Sequence, residues 1–269
     1  MNKTVVIFLL SCLMANAQTP KITTQDFNLI GKVQRVIETA EKLGDEWTQK
    51  EKEDNNTIYV PANYNVEGIL TFNELGNLID KQELPNSNEN SVYTYDESNR
   101  MIIETNYFIN SKKGKNTPVA KTIFYHKPDT IVATKTSLKN KTEKPLKISR
   151  IYKNNLLQAE ITESKTINYL YDDKGTLIKK EGARKKDNQK NVENYEIKYE
   201  NGSISSVFCP ERKTTKTYYA NGLLKSYTTD KRNQENVYTY DQSGNWITNT
   251  VTLDGKQSVK YTRKIYYFE

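Results

Sequence analysis

The stretch Val237-Tyr238-Thr239-Tyr240-Asp241-Gln242-Ser243-Gly244-Asn245-Trp246-Ile247 decides how this chain folds. Tyr238 and Tyr240 are two apart, so on a strand both point to one face. Asp241 is placed to accept hydrogen bonds from the turn backbone ahead of it. Gly244, three residues on, supplies the left-handed residue that a type I turn needs before the chain enters the next strand. Trp246 and Ile247 begin the return. The unit reads as strand, tight turn, strand.

Working outward, the same unit recurs. Ile69 to Ile79, Val92 to Ile102 and Asn168 to Ile178 superimpose on it. They carry the paired tyrosines Tyr93 and Tyr95, and Tyr169 and Tyr171, with Phe72 standing before the turn in the first copy. Gly76, Asn99 and Gly175 take the left-handed place, and Leu78, Met101 and Leu177 begin the returning strands. Shorter copies at Tyr199-Glu200-Asn201-Gly202 and Tyr219-Ala220-Asn221-Gly222-Leu223 fit the two-residue Asn-Gly hairpin turn. Weaker copies surround Tyr125 and Tyr152. Anchors recur every 20–30 residues or roughly so, within the range of repeat arrays. The chain has 19 tyrosines among its 269 residues, a type that favours pleated, half-buried surfaces. The expected fold class is all-β: tandem antiparallel β-hairpins forming an elongated or curled, solenoid-like sheet.

The pairs Tyr95-Asp96, Tyr171-Asp172 and Tyr240-Asp241, each followed by a turn and then Leu, Met or Trp, resemble the YD repeats of the RHS family. Tyr219 to Lys225 is also similar to the MORN-like pattern of aromatic, Asn-Gly, Leu, Lys. The resemblance covers about residues 66 to 269 and concerns the fold more than the function. Large RHS proteins use far longer arrays to form a shell around a toxin. The nearer likeness is to small secreted YD-repeat proteins of Gram-negative bacteria, especially Bacteroidetes.

The flanks divide as a leader over 1–17 and one repeat domain over 18–269, with N-terminal capping strands and a loop over 18–66, repeats over 67–258 and a closing strand over 259–269. Lys3, the apolar run Val5 to Met14 and Ala15-Asn16-Ala17 form an export signal with cleavage before Gln18. Leu9-Leu10-Ser11-Cys12 also resembles a lipobox, which would leave Cys12 lipidated and the protein membrane-attached. The expected location is periplasmic, outer-membrane-associated or extracellular. Between residues 29 and 50, Val33, Val36, Ile37, Ala40, Leu43 and Trp47 have helical spacing. Leu29 to Val36, however, has the look of an opening strand, and a strand followed by a long irregular hairpin is the favoured reading. Asp45 to Asn56 is a charged loop. In the closing strand, Tyr261, Ile265 and Tyr267 alternate with Tyr266 and Phe268. Pro85 to Asn90, Ser111 to Pro118, Pro128, Lys139 to Pro145 and Lys185 to Asn191 are polar breaks between hairpins.

The net charge is +7. Basic residues are denser at Lys112, Lys113 and Lys115, and at Lys179, Lys180, Arg184, Lys185 and Lys186. Such residues serve as solvated loops and protected strand edges, or as a surface for anionic glycans or lipid head groups. Nucleic acid is not an expected partner, since no reading module is present. After loss of Cys12 with the leader, Cys209 is alone, so no internal disulfide forms. Val207 and Phe208 before it mark a buried, inert thiol.

Catalysis is not expected. His126 is the sole histidine; beside Pro128 and Asp129 it reads as a surface-turn residue. One His and one mature Cys do not make a zinc site, no phosphate loop or dinucleotide fingerprint appears, and Asp172-Asp173-Lys174-Gly175 lacks the alternating oxygens of an EF-hand. No cofactor or metal is expected. A carboxylate pair acting on glycans is the less favoured enzymatic alternative. Tyr93, Tyr95, Tyr169, Tyr171, Tyr238, Tyr240 and Trp246 are the candidate ligand-binding residues, either packed as core or exposed as a platform. The expectation is therefore an exported, non-catalytic repeat protein that binds an envelope glycan or protein. The alternative is a structural or protective partner of an exported toxin, or an envelope scaffold.

Overall fold

A computed structural model describes residues 22–43, 67–84, 89–110, 115–140, 142–154 and 156–269. The expected leader over 1–17 with Cys12, the expected loop Asp45 to Asn56, and Lys112 and Lys113 lie outside the described residues. The described chain is all-β. β1 (Val33–Lys42), β2 (Glu67–Phe72), β3 (Leu78–Leu84), β4 (Glu89–Tyr95) and β5 (Met101–Asn110) come first. β6 (Lys115–Lys127), β7 (Thr130–Ser137), β8 (Leu146–Lys153), β9 (Leu156–Ile161) and β10 (Lys165–Tyr171) follow. Next are β11 (Leu177–Arg184), β12 (Lys190–Asn194), β13 (Glu196–Glu200), β14 (Ser203–Cys209) and β15 (Thr214–Tyr218). β16 (Leu224–Thr228), β17 (Asn233–Tyr240), β18 (Trp246–Leu253) and β19 (Lys256–Tyr267) complete the order. Short 3-10 turns occupy Thr24–Phe27 and Pro210–Arg212.

The 19 strands form one antiparallel sheet in which chain neighbours pair, except β12 and β13. The sheet curls until its first strand meets its last. β1 pairs with β2 along one edge and with β19 along the other, so Val36 stands opposite both Leu70 and Ile265. The twist of each strand supplies the curl, and closure removes the exposed edges that a long tyrosine-rich sheet would otherwise present. β12 and β13 are one run of chain interrupted at Tyr195. There the Tyr195 N–H donates to the Ile178 carbonyl of β11 (2.8 Å), while the Asn194 N–H points the other way, to Glu211 just past β14 (2.9 Å). The run changes neighbours at Tyr195, which makes this the thin place in a nearly closed, barrel-like ring.

An up-and-down meander sorts its turns between two ends. The turns after β2, β4, β6, β8, β10, β13, β15 and β17 share one end with the start of β1 and the finish of β19. All the turns of the sequence motif fall there. The remaining connections lie at the opposite end.

Cross-strand register carries one inner face round the ring. Val36, Leu70, Tyr93, Phe124, Ala133, Val251 and Val259 lie on it and are buried, whereas Tyr125, Leu170 and Val237 on the other face are exposed. Each fully buried apolar side chain contributes about 1.5–3 kcal/mol. The segment 22–30 packs into the motif end. Leu78 N–H donates to the Ile22 carbonyl (2.7 Å), Thr24 N–H to the Gly76 carbonyl (2.9 Å), and Phe27 meets Phe72 edge-on at 5.8 Å. Asn245 fixes the same segment, accepting from Ile30 N–H (2.5 Å) and donating to the Ile30 carbonyl (2.9 Å).

Four expectations need correction. The opening strand starts at Val33, because Leu29 and Ile30 belong to the packed segment before it. The closing strand starts earlier than Val259, at Lys256. Pro118 is not in a break; it lies inside β6, opposite Tyr107, where the ladder is already interrupted by a bulge and no N–H is required. Asn221-Gly222 is not a two-residue turn. Gly222 N–H donates to the Tyr219 carbonyl and Tyr219 N–H to the Leu223 carbonyl (both 2.9 Å), and of the dipeptide only Gly222 has positive φ.

Candidate functional site

The motif end is built from one repeated bonding pattern. In the β10–β11 turn, Gly175 N–H donates to the Asp172 carbonyl (3.1 Å) and Asp172 N–H to the Thr176 carbonyl (2.9 Å). Asp172 Oδ1 accepts from the N–H groups of Lys174 (3.0 Å) and Thr176 (2.8 Å). Gly175 is left-handed at φ 77°. This is a type I turn with a following bulge residue. Asp96, Asp241 and Asn73 accept in the same way from Arg100, Asn245 and Asn77. Burial would raise the Asp172 carboxyl, but the Thr176 N–H, the Tyr199 hydroxyl and the Lys174 N–H outweigh it and hold the group below the usual range. At Asp96 the Arg100 backbone N–H is the main cause of a lowered value.

The tyrosine rows are bonded into the wall. Tyr95 donates its hydroxyl to the Leu78 carbonyl (2.8 Å), Tyr171 to Leu157 (2.8 Å) and Tyr238 to Leu224 (3.1 Å). Each bond reaches the first or second residue of the preceding returning strand, so the hydroxyl ties one hairpin to the one before it. Tyr93 is buried and Tyr169 half-buried. Trp246 is buried between the Arg263 guanidinium, 3.5 Å from its ring centre, and the edge of Tyr238 at 5.8 Å. Tyr240 departs from the pattern: it is 43% exposed and its hydroxyl accepts from the Asn221 amide (3.1 Å). Burial pushes the Tyr238 phenol up to about 12, with Tyr240 a lesser cause, and pushes Tyr261 up to about 12 as well.

His126 is not in a surface turn. It lies in β6, half-buried, with Nε2 2.8 Å from the Met101 carbonyl, because β6 runs on to Lys127 before turning. Cys209 is buried, and its thiol is pushed up by burial and, beyond that, by Glu211 at 3.6 Å. Among the described residues, no three His, Cys, Asp or Glu side chains gather closely enough to hold a metal ion.

The opposite end carries a different feature. β10, β11 and β12 line a cavity of about 500 Å³, bordered by Lys165, Lys180, Arg184, Lys190, Arg212 and Glu193. The register Lys165↔Arg184 and Lys180↔Glu193 brings these side chains to one face, and Arg212 arrives from the 3-10 turn after β14. Glu193 is buried and engaged by Arg212 and by the Tyr195 hydroxyl (2.6 Å). Burial raises its carboxyl, but the Tyr195 and Arg212 hydrogen bonds, with the Arg212 and Lys180 charges, outweigh burial and hold it low. Lys165, Lys180 and Lys190 have no ion pair among the described residues, and Arg184 only an exposed one, to Asp187 at 3.9 Å. Gly182 sits between Ile167 and Asn191 in the ladders, so no side chain fills the middle of the wall.

Of the basic run noted in the sequence, Lys180 and Arg184 therefore face the cavity. Lys179 instead points to the other face, 4.0 Å from Glu181, and Lys185 donates to the Thr162 carbonyl (2.8 Å). Lys165 and Arg212 escaped sequence reading, because register brings Lys165 to the cavity and the 3-10 turn after β14 brings Arg212, neither being near Lys180 in the chain.

No family model matches the sequence, and no curated protein matches it. Among solved structures, a porin-like protein from Bacteroides uniformis is similar with a TM-score of 0.44 and 8% identity, over 88% of this chain and 99% of that one. The Tc holotoxin pore of Photorhabdus luminescens gives a TM-score of 0.35 at 15% identity, over 82% of this chain and 13% of the toxin chain.

Proposed function

We propose that this chain is an exported, non-catalytic binding protein of the cell envelope, and that it holds a glycan at the end opposite its motif turns. The observation that carries this reading is the contrast in how polar groups are engaged. The motif aspartates and the Tyr95, Tyr171 and Tyr238 hydroxyls are bonded to backbone, whereas Lys165 and Lys180 border a cavity with no ion pair among the described residues. The leader-like stretch Lys3 to Ala17 supports export. The outer face carries Lys121, Glu181, Lys198, Glu235 and Lys260 along its strands, side chains that would be costly against lipid, so we read that face as water-facing. The bonded Tyr-Asp turns support kinship with small YD-repeat proteins.

The test is a binding panel. Purified mature protein is immobilised and exposed to bacterial-envelope glycans. Saturable binding to at least one class is expected, and the recovered glycan should keep its mass. Absence of binding across the panel sinks the proposal, and release of glycan fragments sinks its non-catalytic part.

A further inference from the structure

Resting on that reading, the cavity itself points to the class of glycan. We propose that the cavity between β10, β11 and β12 is a site for an anionic saccharide unit carrying phosphate or carboxylate groups. Cationic side chains converge on it from three separate elements: Lys165 from β10, Lys180 and Arg184 from β11 and Arg212 from the turn after β14. A chance run of surface lysines would come from one loop. Among the described residues one carboxylate borders it, Glu193, which is hydrogen-bonded by Arg212 and Tyr195 and also feels the Lys180 charge, so one negative charge stands against Lys165, Lys180, Arg184 and Arg212. Like charges gathered in a concavity raise the local concentration of anions.

The guanidinium of Arg184 presents a planar fork that suits carboxylate and phosphate alike, and the lysines act as mobile point charges around it. A volume of about 500 Å³ lies within the usual range for small-molecule sites. Gly182 between Ile167 and Asn191 leaves a low floor on which a sugar ring can lie. The Asn191 and Gln189 amides at the border supply neutral donors and acceptors for hydroxyls.

The test is calorimetric titration of the mature protein with glucose 1-phosphate, trigalacturonate, neutral maltotriose and inorganic phosphate. At least one charged saccharide should bind about tenfold or more tightly than maltotriose. Its affinity should fall between ~0.05 and ~0.5 M salt as the charges are screened. The double variant Lys180→Glu/Arg184→Glu should lose about tenfold or more of that affinity. Lys147→Glu/Lys198→Glu makes the same change in net charge at exposed outer-face positions and should keep the affinity.

Circular dichroism checks that each variant is folded. If the double reversal unfolds, Lys165→Gln at an exposed position replaces it, with a loss of severalfold expected. Equal binding of charged and neutral saccharides overturns the proposal, as does equal loss in both double variants. Inorganic phosphate binding as tightly as the charged saccharides would mean an unspecific anion site and overturns it too. So does binding to phosphatidylglycerol vesicles with none to the soluble saccharides. If neutral glycans bind and charged ones do not, this inference fails while the proposed function stands; if no glycan of either kind binds, both fail.

Discussion

The two ends of the ring treat their polar groups in opposite ways. At the motif end Asn73, Asp96, Asp172 and Asp241 are structural acceptors for their turns, as Asp172 is for Lys174 and Thr176, and the segment 22–30 is clamped by Asn245. At the other end Lys165 and Lys180 stand at a cavity with no ion pair among the described residues. The repeat that dominates the sequence is thus a folding device. The end that breaks the repeat is the end with side chains to spare for a ligand. Substitutions should separate along that line, with stability lost at the first end and kept at the second.

The largest effect is expected from alkali. Tyr238 and Tyr261 have folded-state values of about 12, above the usual phenol value of about 10. The folded chain therefore keeps protons that the unfolded chain would release. The stability linked to these groups is whole below pH ~10 and is lost as pH climbs through ~12. Tyrosinate absorbance and far-ultraviolet circular dichroism should change together in that window; full ionisation of the tyrosines with the sheet intact would contradict the buried wall.

Next comes Arg263→Ala. Arg263 donates to Glu38 (2.8 Å) and to the Phe27 carbonyl (3.1 Å), and stacks on Trp246. Its removal should destabilise by about 3 kcal/mol in urea titration, and a loss under ~1 kcal/mol would mean that the clasp contributes little. Asn245→Ala follows at about 2 kcal/mol, since it removes both part-buried hydrogen bonds to the Ile30 backbone. Asp172→Ala should lose about 1 kcal/mol, and Asp172→Asn less, because the amide keeps an acceptor for the turn N–H groups. The smallest change is expected at the far end. Lys165→Gln, at an exposed position, should shift stability by no more than ~0.5 kcal/mol. A larger loss there would blur the division between the ends.

The hairpin unit was legible because its signals are local. Tyr238, Asp241 and Gly244 stand within one short stretch, and each has a backbone consequence of its own. Closure was not legible. Alternation shows which side chains share a face, but not that Val36 will meet Ile265. The two Asn-Gly dipeptides show the same limit at close range. Asn201 and Gly202 both have positive φ and form the two-residue turn. Asn221 does not, because Tyr219 takes the position that Asp holds elsewhere and its hydroxyl is drawn to the Asn236 carbonyl of β17 (2.8 Å). The cavity was half legible. Lys180 and Arg184 stood out as a basic run, while Lys165 and Arg212 reach it only through register and through the turn after β14.

The seam between β1 and β19 has a kinetic consequence. Glu38 and Arg263 are 225 residues apart in the chain, yet they pair across that ladder. A contact of such sequence separation is among the slowest a chain can make, since a long loop must close before any bond rewards it. β1 is synthesised before every other strand of the sheet, and one of its two neighbours is synthesised after all the rest. Until β19 arrives, β1 has one unsatisfied edge, and the partly made sheet is open to pairing with other chains. Completion of the ring is therefore the step at which contact order, more than hairpin strength, sets the folding rate.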